Sequence, residues 1–273
     1  MGNFDGHNHM GKHGGNPGFD RVMDLASTKL GLGGVFGICN DGPVDTRYED
    51  FIGQTSGHYH RVAIGDATRG VLVPELNVAV VGVEEVEPEE GGHFLCIGMP
   101  KGEKIGTTKL EEALKRADDF GVVKVIVHPF EYGGFGPYLK ENPGILERFD
   151  GFEVYNASAA LGDWFFPLGF RANHRAAEFY GEKIEARYQV VAVSFTDGHS
   201  VGVIGRSYTR MPAIPTDTEE GFMKGLKMGI QGSPDDALLL KKRPARWDAI
   251  KYVGHMVEHA AVSEIRRRLG RSN

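Results

Sequence analysis

Within its first ten residues the chain carries Asp5-Gly6-His7-Asn8-His9, closing a short strand-like segment. Side chains two apart on an extended backbone point the same way, so His7 and His9 form a two-toothed clamp for a metal ion. Two imidazoles hold an ion weakly, and the clamp predicts further ligands from distant strand ends. The apolar run 77–84 ends at Glu84, with Glu85 beside it, and His93 opens the next run. Run 123–127 leads into His128-Pro129, and run 189–195 into Thr196-Asp197-Gly198-His199. His13, in the glycine-rich turn after the clamp, completes eight candidate ligands: His7, His9, His13, Glu84, His93, His128, Asp197 and His199. That is too many for one tetrahedral zinc and suits a cluster of two or three divalent ions. Mixed imidazole and carboxylate donors admit zinc, manganese or iron(II) and disfavour calcium. Glu84 is suited to bridge two ions, one to each oxygen.

Other polar residues have plainer readings. Glu153 stands at a strand end on the same rim, where a supporting or structural role is favoured over ligation. Asp41 reads as a turn cap. His58 and His60 repeat the H-x-H spacing without a preceding strand and read as surface or substrate-loop residues. Asn8 and Asn156 either support ligands or form turns. His255-Met256-Val257-Glu258-His259 matches the inverted zinc-protease pattern. On a helix, however, its histidines fall opposite the apolar stripe Ile250, Val253, Val257 and Ala261, and only fourteen residues follow for the distant carboxylate such enzymes need. Gly31, Gly33, Gly34 and Gly37 precede a strand, which excludes a dinucleotide fingerprint.

The elements that must position these groups alternate. Runs rich in Val, Ile and Phe near 2–6, 34–39, 77–84, 93–98, 123–127, 151–155 and 189–195 read as strands. Thr108 and Glu111 read as a capping box for a helix with Leu110, Ala113, Leu114 and Ala117 on one face. A second helix is expected over 170–180, and a third opened by Thr216 and Glu219 with Phe222, Met223 and Leu226. The glycine-rich stretch 133–137 reads as a flexible loop beside the site. Alternating strands and helices predict an α/β fold with a mainly parallel sheet, whose chemistry gathers at the strands' C-terminal ends. The organisation expected is one main α/β domain over 1–232 and a C-terminal helical extension over 233–273 packed on it.

The chain has 273 residues, a formal net charge of -6 and two cysteines, Cys39 and Cys96, each within an apolar run. Such spacing predicts reduced, buried thiols and a cytoplasmic compartment. Acidic interruptions at Glu84 and Glu85 and the break at Pro74 leave no membrane span, and the N-terminal residues lack a signal-peptide pattern. The negative balance predicts no nucleic-acid scaffold as partner.

The ordered motifs D-G-H-N-H, G-V-E followed by H-F-L-C-I-G, V-H-P, E-V-Y-N and T-D-G-H-S, spread over about residues 3–215, resemble the PHP family, named for its polymerase and histidinol phosphatase members. The resemblance implies a distorted (β/α)7 TIM-like barrel and metal-dependent phosphoester hydrolysis. Substrates in the family include sugar phosphates, histidinol phosphate, nucleotides and nucleic-acid ends. It assigns His7, His9, Glu84 and Asp197 to one metal, with Glu84 bridging to a second held by His93 and His128. His13 and His199 match two ligands of a third site. The motif that supplies its remaining histidine reads Asn40-Asp41-Gly42, so a third ion is weak, absent, or recruits Asp41, His58 or His60. The expectation is a phosphoesterase that cleaves a small phosphomonoester or nucleotide with a metal-activated water, with Asp197 and Glu84 catalytic and Arg206, Arg210 or Lys12 assisting. The alternatives are hydrolysis of another bond on the same metal pair, or a binding subunit of an RNA-processing or polymerase assembly.

Overall fold

In the computed structural model of the chain, residues 1–11, 17–40, 46–66, 68–131, 133–160 and 171–231 are described. His13, Lys12, Asp41, Gly42 and the C-terminal extension, including the His255–His259 pattern, lie outside the described residues. The β-branched runs form a ten-stranded sheet. Its strands are β1 (Gly2–Asp5), β2 (Gly34–Asn40), β3 (Val62–Ala63), β4 (Gly70–Val73), β5 (Val78–Val86), β6 (His93–Ile97), β7 (Val123–Val127), β8 (Gly151–Asn156), β9 (Val191–Phe195) and β10 (Thr209–Met211). The order along the sheet is β10-β1-β2-β5-β6-β7-β8-β9, with β3 and β4 branching from β5. The pairs β1/β2, β2/β5, β7/β8 and β8/β9 are parallel, and β5/β6 and β6/β7 are antiparallel. The seven runs read from the sequence are strands; β3, β4 and β10 are short additions.

The sheet curls into a nearly closed barrel. Its open seam, between β9 and the edge formed by β10 and β1, is stitched by local groups. The His9 N–H donates to the Gly198 carbonyl (2.7 Å), and the Gly198 N–H to that of His7 (3.0 Å). Buried Asp5 accepts from the N–H groups of Thr196 (3.0 Å) and Gly205 (3.1 Å). Backbone groups that an eighth ladder would satisfy thus find partners in a side chain and two rim residues, and the seam lies under the H-N-H segment. Close approach of the first two strands demands glycine: a Cβ on Gly37 would sit 2.5 Å from the Gly6 carbonyl oxygen.

Alternation along each strand separates two apolar layers. Phe4, Ala79, Val81, Val83, Leu95, Ile97, Val123, Val125, Val127, Val193 and Phe195 pack together inside the barrel. Val78 and Val80 face outward toward the helix Phe19–Leu30, and Phe94, Ile126, Phe152 and Val154 face the helix Leu110–Phe120. Each fully buried large side chain contributes roughly 1.5–3 kcal/mol. The helix Leu110–Phe120 stands where the periodicity places it, but its first turn is satisfied differently. The Leu110 N–H donates to Glu90 Oε2 (2.8 Å), while the Thr108 hydroxyl donates to Glu112. The third helix spans Glu219–Gln231 and is capped by the Thr218 hydroxyl, which accepts from the Gly221 N–H (3.1 Å). Thr216 does not take that part. The second helix is Ala172–Phe179, continued by a π-turn at Tyr180–Ile184.

Candidate metal centre

Inside the barrel, rows of side chains end in polar groups at one rim. The row Ala79, Val81, Val83 continues to Glu85, and the row Val193, Phe195 continues to Asp197. Paired residues of a ladder share a face, and Glu85 pairs with Leu95, two residues from His93. Glu85 and His93 therefore meet inside. His128 follows Val127 and by alternation would face outward, but its φ of 28° turns the strand end inward. Asp197 is also left-handed, at φ 53°. Such conformations cost of order 1–3 kcal/mol, the more so before a proline, and persist only where surrounding contacts hold them.

His7 Nε2 and His9 Nε2 are 3.1 Å apart. Glu85 Oε2 lies 3.7 Å from the first and 3.2 Å from the second, and Asp197 Oδ1 lies 3.5 and 3.7 Å from them. The other oxygen of the same carboxylate, Glu85 Oε1, faces His93 Nδ1 at 3.1 Å and His128 Nε2 at 3.0 Å. His199 Nδ1 stands 3.5 Å from Asp197 Oδ1, and its ring stacks on that of His9 at 4.7 Å. His7 and His9 are fully buried, whereas His93 and His199 keep 21 % and 17 % of their side chains exposed. The site is thus dry at its floor and open at its mouth.

Crowded imidazoles repel one another when protonated, and convergent carboxylate and imidazole lone pairs favour a cation between them. Among the described residues, four groups of three donors lie within 4.8 Å: His7, Glu85 and His128; His9, Asp197 and His199; His128, Glu131 and Asp197; and His7, His9 and Cys39. Donors of this kind fit divalent ions of the zinc, manganese and iron class. Burial pushes the Glu85 carboxyl up, but the surrounding His93, His7 and His128 outweigh it and hold it well below the usual carboxylate range. Asp197 is likewise depressed despite burial, by His7, His199, His128 and His9. Burial draws the His128 imidazole down, yet the hydrogen bond with Glu85, with Glu131 and Asp197 nearby, lifts it to about 10.

Six of the expected ligands converge: His7, His9, His93, His128, Asp197 and His199. Glu84 does not. Its side chain points out of the barrel, where Oε2 accepts from the Ile105 N–H (2.7 Å) and Oε1 from the Gly106 N–H (2.9 Å). Burial raises its carboxyl against the pull of those two bonds. The place between the two imidazole pairs, expected for Glu84, is occupied by its neighbour Glu85, one residue along β5 and hence on the opposite face. Near-continuous Val on both faces of β5 hides the phase, so periodicity alone could not choose between the two acids.

Around this set stands a ring of supporting groups. Glu153 is buried, and its Oε2 accepts from the His128 N–H (2.6 Å) and from Asn156 Nδ2 (3.1 Å). Asn156 also donates to Asp197 Oδ2 at 3.3 Å. Burial raises the Glu153 carboxyl to about 8, and its Oε1 has no hydrogen-bond partner among the described residues. Asn8 donates to the carbonyls of Asp5 (3.3 Å) and Gly37 (3.4 Å), fixing the clamp between β1 and β2. His58 and His60 stay outside; His60 instead pairs with Glu75 on the surface at 2.5 Å. Cys39, buried as expected, also stands within reach of the ring nitrogens of His7 and His9.

No protein-family model matches the chain, and no curated protein sequence does. Among solved structures, the lesion-specific endonuclease Q of Pyrococcus furiosus superposes with a TM-score of 0.54 at 17% identity, over 85% of this chain and 56% of that one. This chain therefore spans little more than half the length of that enzyme. Endonuclease Q in complex with a 27-mer duplex, an abasic lesion at its active site, matches with a TM-score of 0.50 at 17% identity over the same shares. The chain shares the fold of endonuclease Q. A two-domain Bacteroides vulgatus protein containing a predicted PHP-like metal-dependent phosphoesterase also aligns, with a TM-score of 0.47 at 12% identity, over 82% of this chain and 62% of that one.

The duplex at the active site of endonuclease Q overturns the expectation of a small phosphorylated substrate and no nucleic-acid scaffold. Net charge sums over the whole chain, whereas a polyanion meets only the local groups around one mouth. Among the described residues no helix is long and apolar enough to cross a membrane.

Proposed function

We propose that the chain is a metal-dependent phosphoesterase that hydrolyses a phosphodiester bond of a nucleic acid. The observation that carries this reading is Glu85, whose two oxygens each face a separate pair of imidazoles, His7 with His9 and His93 with His128. One carboxylate shared between two donor pairs is the arrangement of a two-ion site. His7, His9, Glu85 and Asp197 would hold one ion, and Glu85, His93 and His128 a second; His199 with Asp197 and His9 forms a further candidate group. Such ions, when bound, supply an activated water and neutralise charge developing on phosphoryl oxygens. The residues themselves have separate tasks. Asp197, kept ionised, can orient a nucleophile as well as hold an ion. Glu153 and Asn156 hold His128 and Asp197 in their left-handed conformations, so the donor set is arranged before substrate arrives. Partly exposed His93 and His199 flank the mouth through which a strand would enter. The duplex held by endonuclease Q supports a nucleic-acid substrate.

The test is cleavage of end-labelled single-stranded and duplex DNA by protein reloaded with manganese or zinc, with elemental analysis alongside. About two ions per chain and cleavage lost in Glu85→Gln and Asp197→Asn are expected. Fully loaded protein that cleaves neither nucleic acid nor a chromogenic phosphodiester would sink the reading.

A further inference from the structure

Outside the metal centre, a cavity of about 370 Å³ runs between the two crossovers that join β7 to β8 and β8 to β9. Its volume lies in the range of small-ligand sites. One wall is the helix Gly136–Glu141 and the turn after it, and the other is the helix Ala172–Phe179 with its π-turn. Four cations line it: Lys140, Arg175, Lys183 and Arg187. Two carboxylates, Glu178 and Glu182, offset only half of that charge, and Glu182 is 3.9 Å from Lys183. No carboxylate among the described residues pairs with Lys140, Arg175 or Arg187.

Two of the cations also share one aromatic ring. Lys140 Nζ lies 5.5 Å and the Arg175 guanidinium 4.9 Å from the centre of the Phe130 ring. The ring holds both cations in place, and with no paired carboxylate among the described residues their charge is open to an anion. Tyr188 adds a second, partly exposed aromatic to the lining. Cations interleaved with aromatics are the pattern of sites that hold phosphate and base together.

The cavity connects to the metal centre through rigid parts. Phe130 follows His128-Pro129 directly. On the other wall, Asn173 is two residues before Arg175, and its side chain exchanges hydrogen bonds of 2.8 and 2.9 Å with the backbone of Asn156 at the rim. The cavity's upper end is therefore within about one helical turn of the residues that steady Asp197 and His128.

We infer that this groove binds a nucleotide unit, its phosphate on Arg175 and Lys140 and its base toward Tyr188. This deepens, and rests on, the reading of the chain as a nucleic-acid phosphodiesterase. The unit could belong to the strand lying across the metal centre or be a free nucleotide; the shared chemistry is an anionic phosphate joined to a flat ring.

The experiment uses the full chain and two variants, Arg175→Gln/Lys140→Gln and the charge reversal Arg175→Glu/Lys140→Glu, each checked for wild-type melting behaviour. Binding of a fluorescent single-stranded oligonucleotide and of deoxyadenosine monophosphate is measured in chelator, where no cleavage occurs. Hydrolysis of bis(4-nitrophenyl) phosphate is measured with metal. For a strand unit, oligonucleotide affinity falls by about 10-fold or more in the neutral variant and further on reversal. The salt slope then drops by about 0.7 for each phosphate no longer neutralised, and the small diester is hydrolysed as in wild type. For a free nucleotide, monophosphate binding is lost while oligonucleotide affinity holds. Wild-type affinity for both ligands in the folded variants overturns the proposal, whatever the hydrolysis result. Groove-dependent binding with no metal-dependent hydrolysis of any diester upholds the groove and refutes the phosphoesterase reading.

Discussion

Exchange of either acid at the end of β5 for its amide separates two accounts of the metal centre. Glu85 presents its oxygens at 3.0–3.7 Å from four imidazole nitrogens. Glu84, its neighbour, accepts only from the backbone of Ile105 and Gly106. Glu85→Gln keeps the shape and removes the negative charge that the two proposed ion positions would share. Loss of a group that merely orients a ligand costs 10–100-fold in metal affinity, so loss of a shared ligand charge should cost more than about 100-fold, or about 2.7 kcal/mol. Glu84→Gln keeps one acceptor oxygen and forfeits one bond, about 1 kcal/mol of stability. Both variants are dialysed against micromolar manganese or zinc, then assayed by elemental mass spectrometry, phosphodiester turnover and urea unfolding. Glu85→Gln should fold, bind less than one ion per chain and lose turnover, while Glu84→Gln should hold the wild-type complement with a slightly lower urea midpoint. Full metal and turnover in Glu85→Gln, or their loss in Glu84→Gln, would refute the assignment.

Glu153 should set a pH dependence of stability in chelator-treated protein. Its folded carboxyl is raised to about 8 by burial, from 4.5, so the folded state keeps its proton longer, and stability is full below pH 4.5 and declines as pH rises toward 8. The upper bound is about 5 kcal/mol, and Glu153→Gln should flatten the decline in urea midpoints measured at pH 5 and 7.5; equal slopes in the two proteins would exclude this role. Asp5→Ala leaves the N–H groups of Thr196 and Gly205 without their acceptor at the barrel seam; a loss of about 2–4 kcal/mol is expected, and hydrogen exchange should quicken at those two amides first. Gly37→Val drives a side chain into the Gly6 backbone and should leave the chain insoluble or lower its melting point by several degrees, which expression and calorimetry can check. Chelation of wild-type protein should lower the melting temperature, and adding back manganese or zinc should restore it as ligand linkage requires; an unchanged melting point would argue against a metal centre.

Residue types and spacing alone carried the donor inventory and the alternation of strands and helices; the barrel came from the resemblance of the ordered motifs. Imidazoles and carboxylates after apolar runs mark strand ends, because a run of Val and Ile can only be buried and the polar group after it must leave the core. That reasoning brought together His7, His9, His93, His128, Asp197 and His199 from four segments. It could not choose between Glu84 and Glu85. In a strand apolar on both faces the phase is set by ladder pairing with β6, between residues eight to fourteen apart. Nor could it see that His128 turns inward, since that depends on a left-handed φ held by Glu153, 25 residues away. Helix periodicity located Leu110–Phe120, but its cap came from Glu90 across a loop, and local sequence does not encode which acid arrives there. Whole-chain charge is a poor guide to a partner for the same reason. Composition is a sum, whereas binding depends on where folding places each charge, and only the tertiary structure sets Lys140 and Arg175 on one ring beside the metal rim.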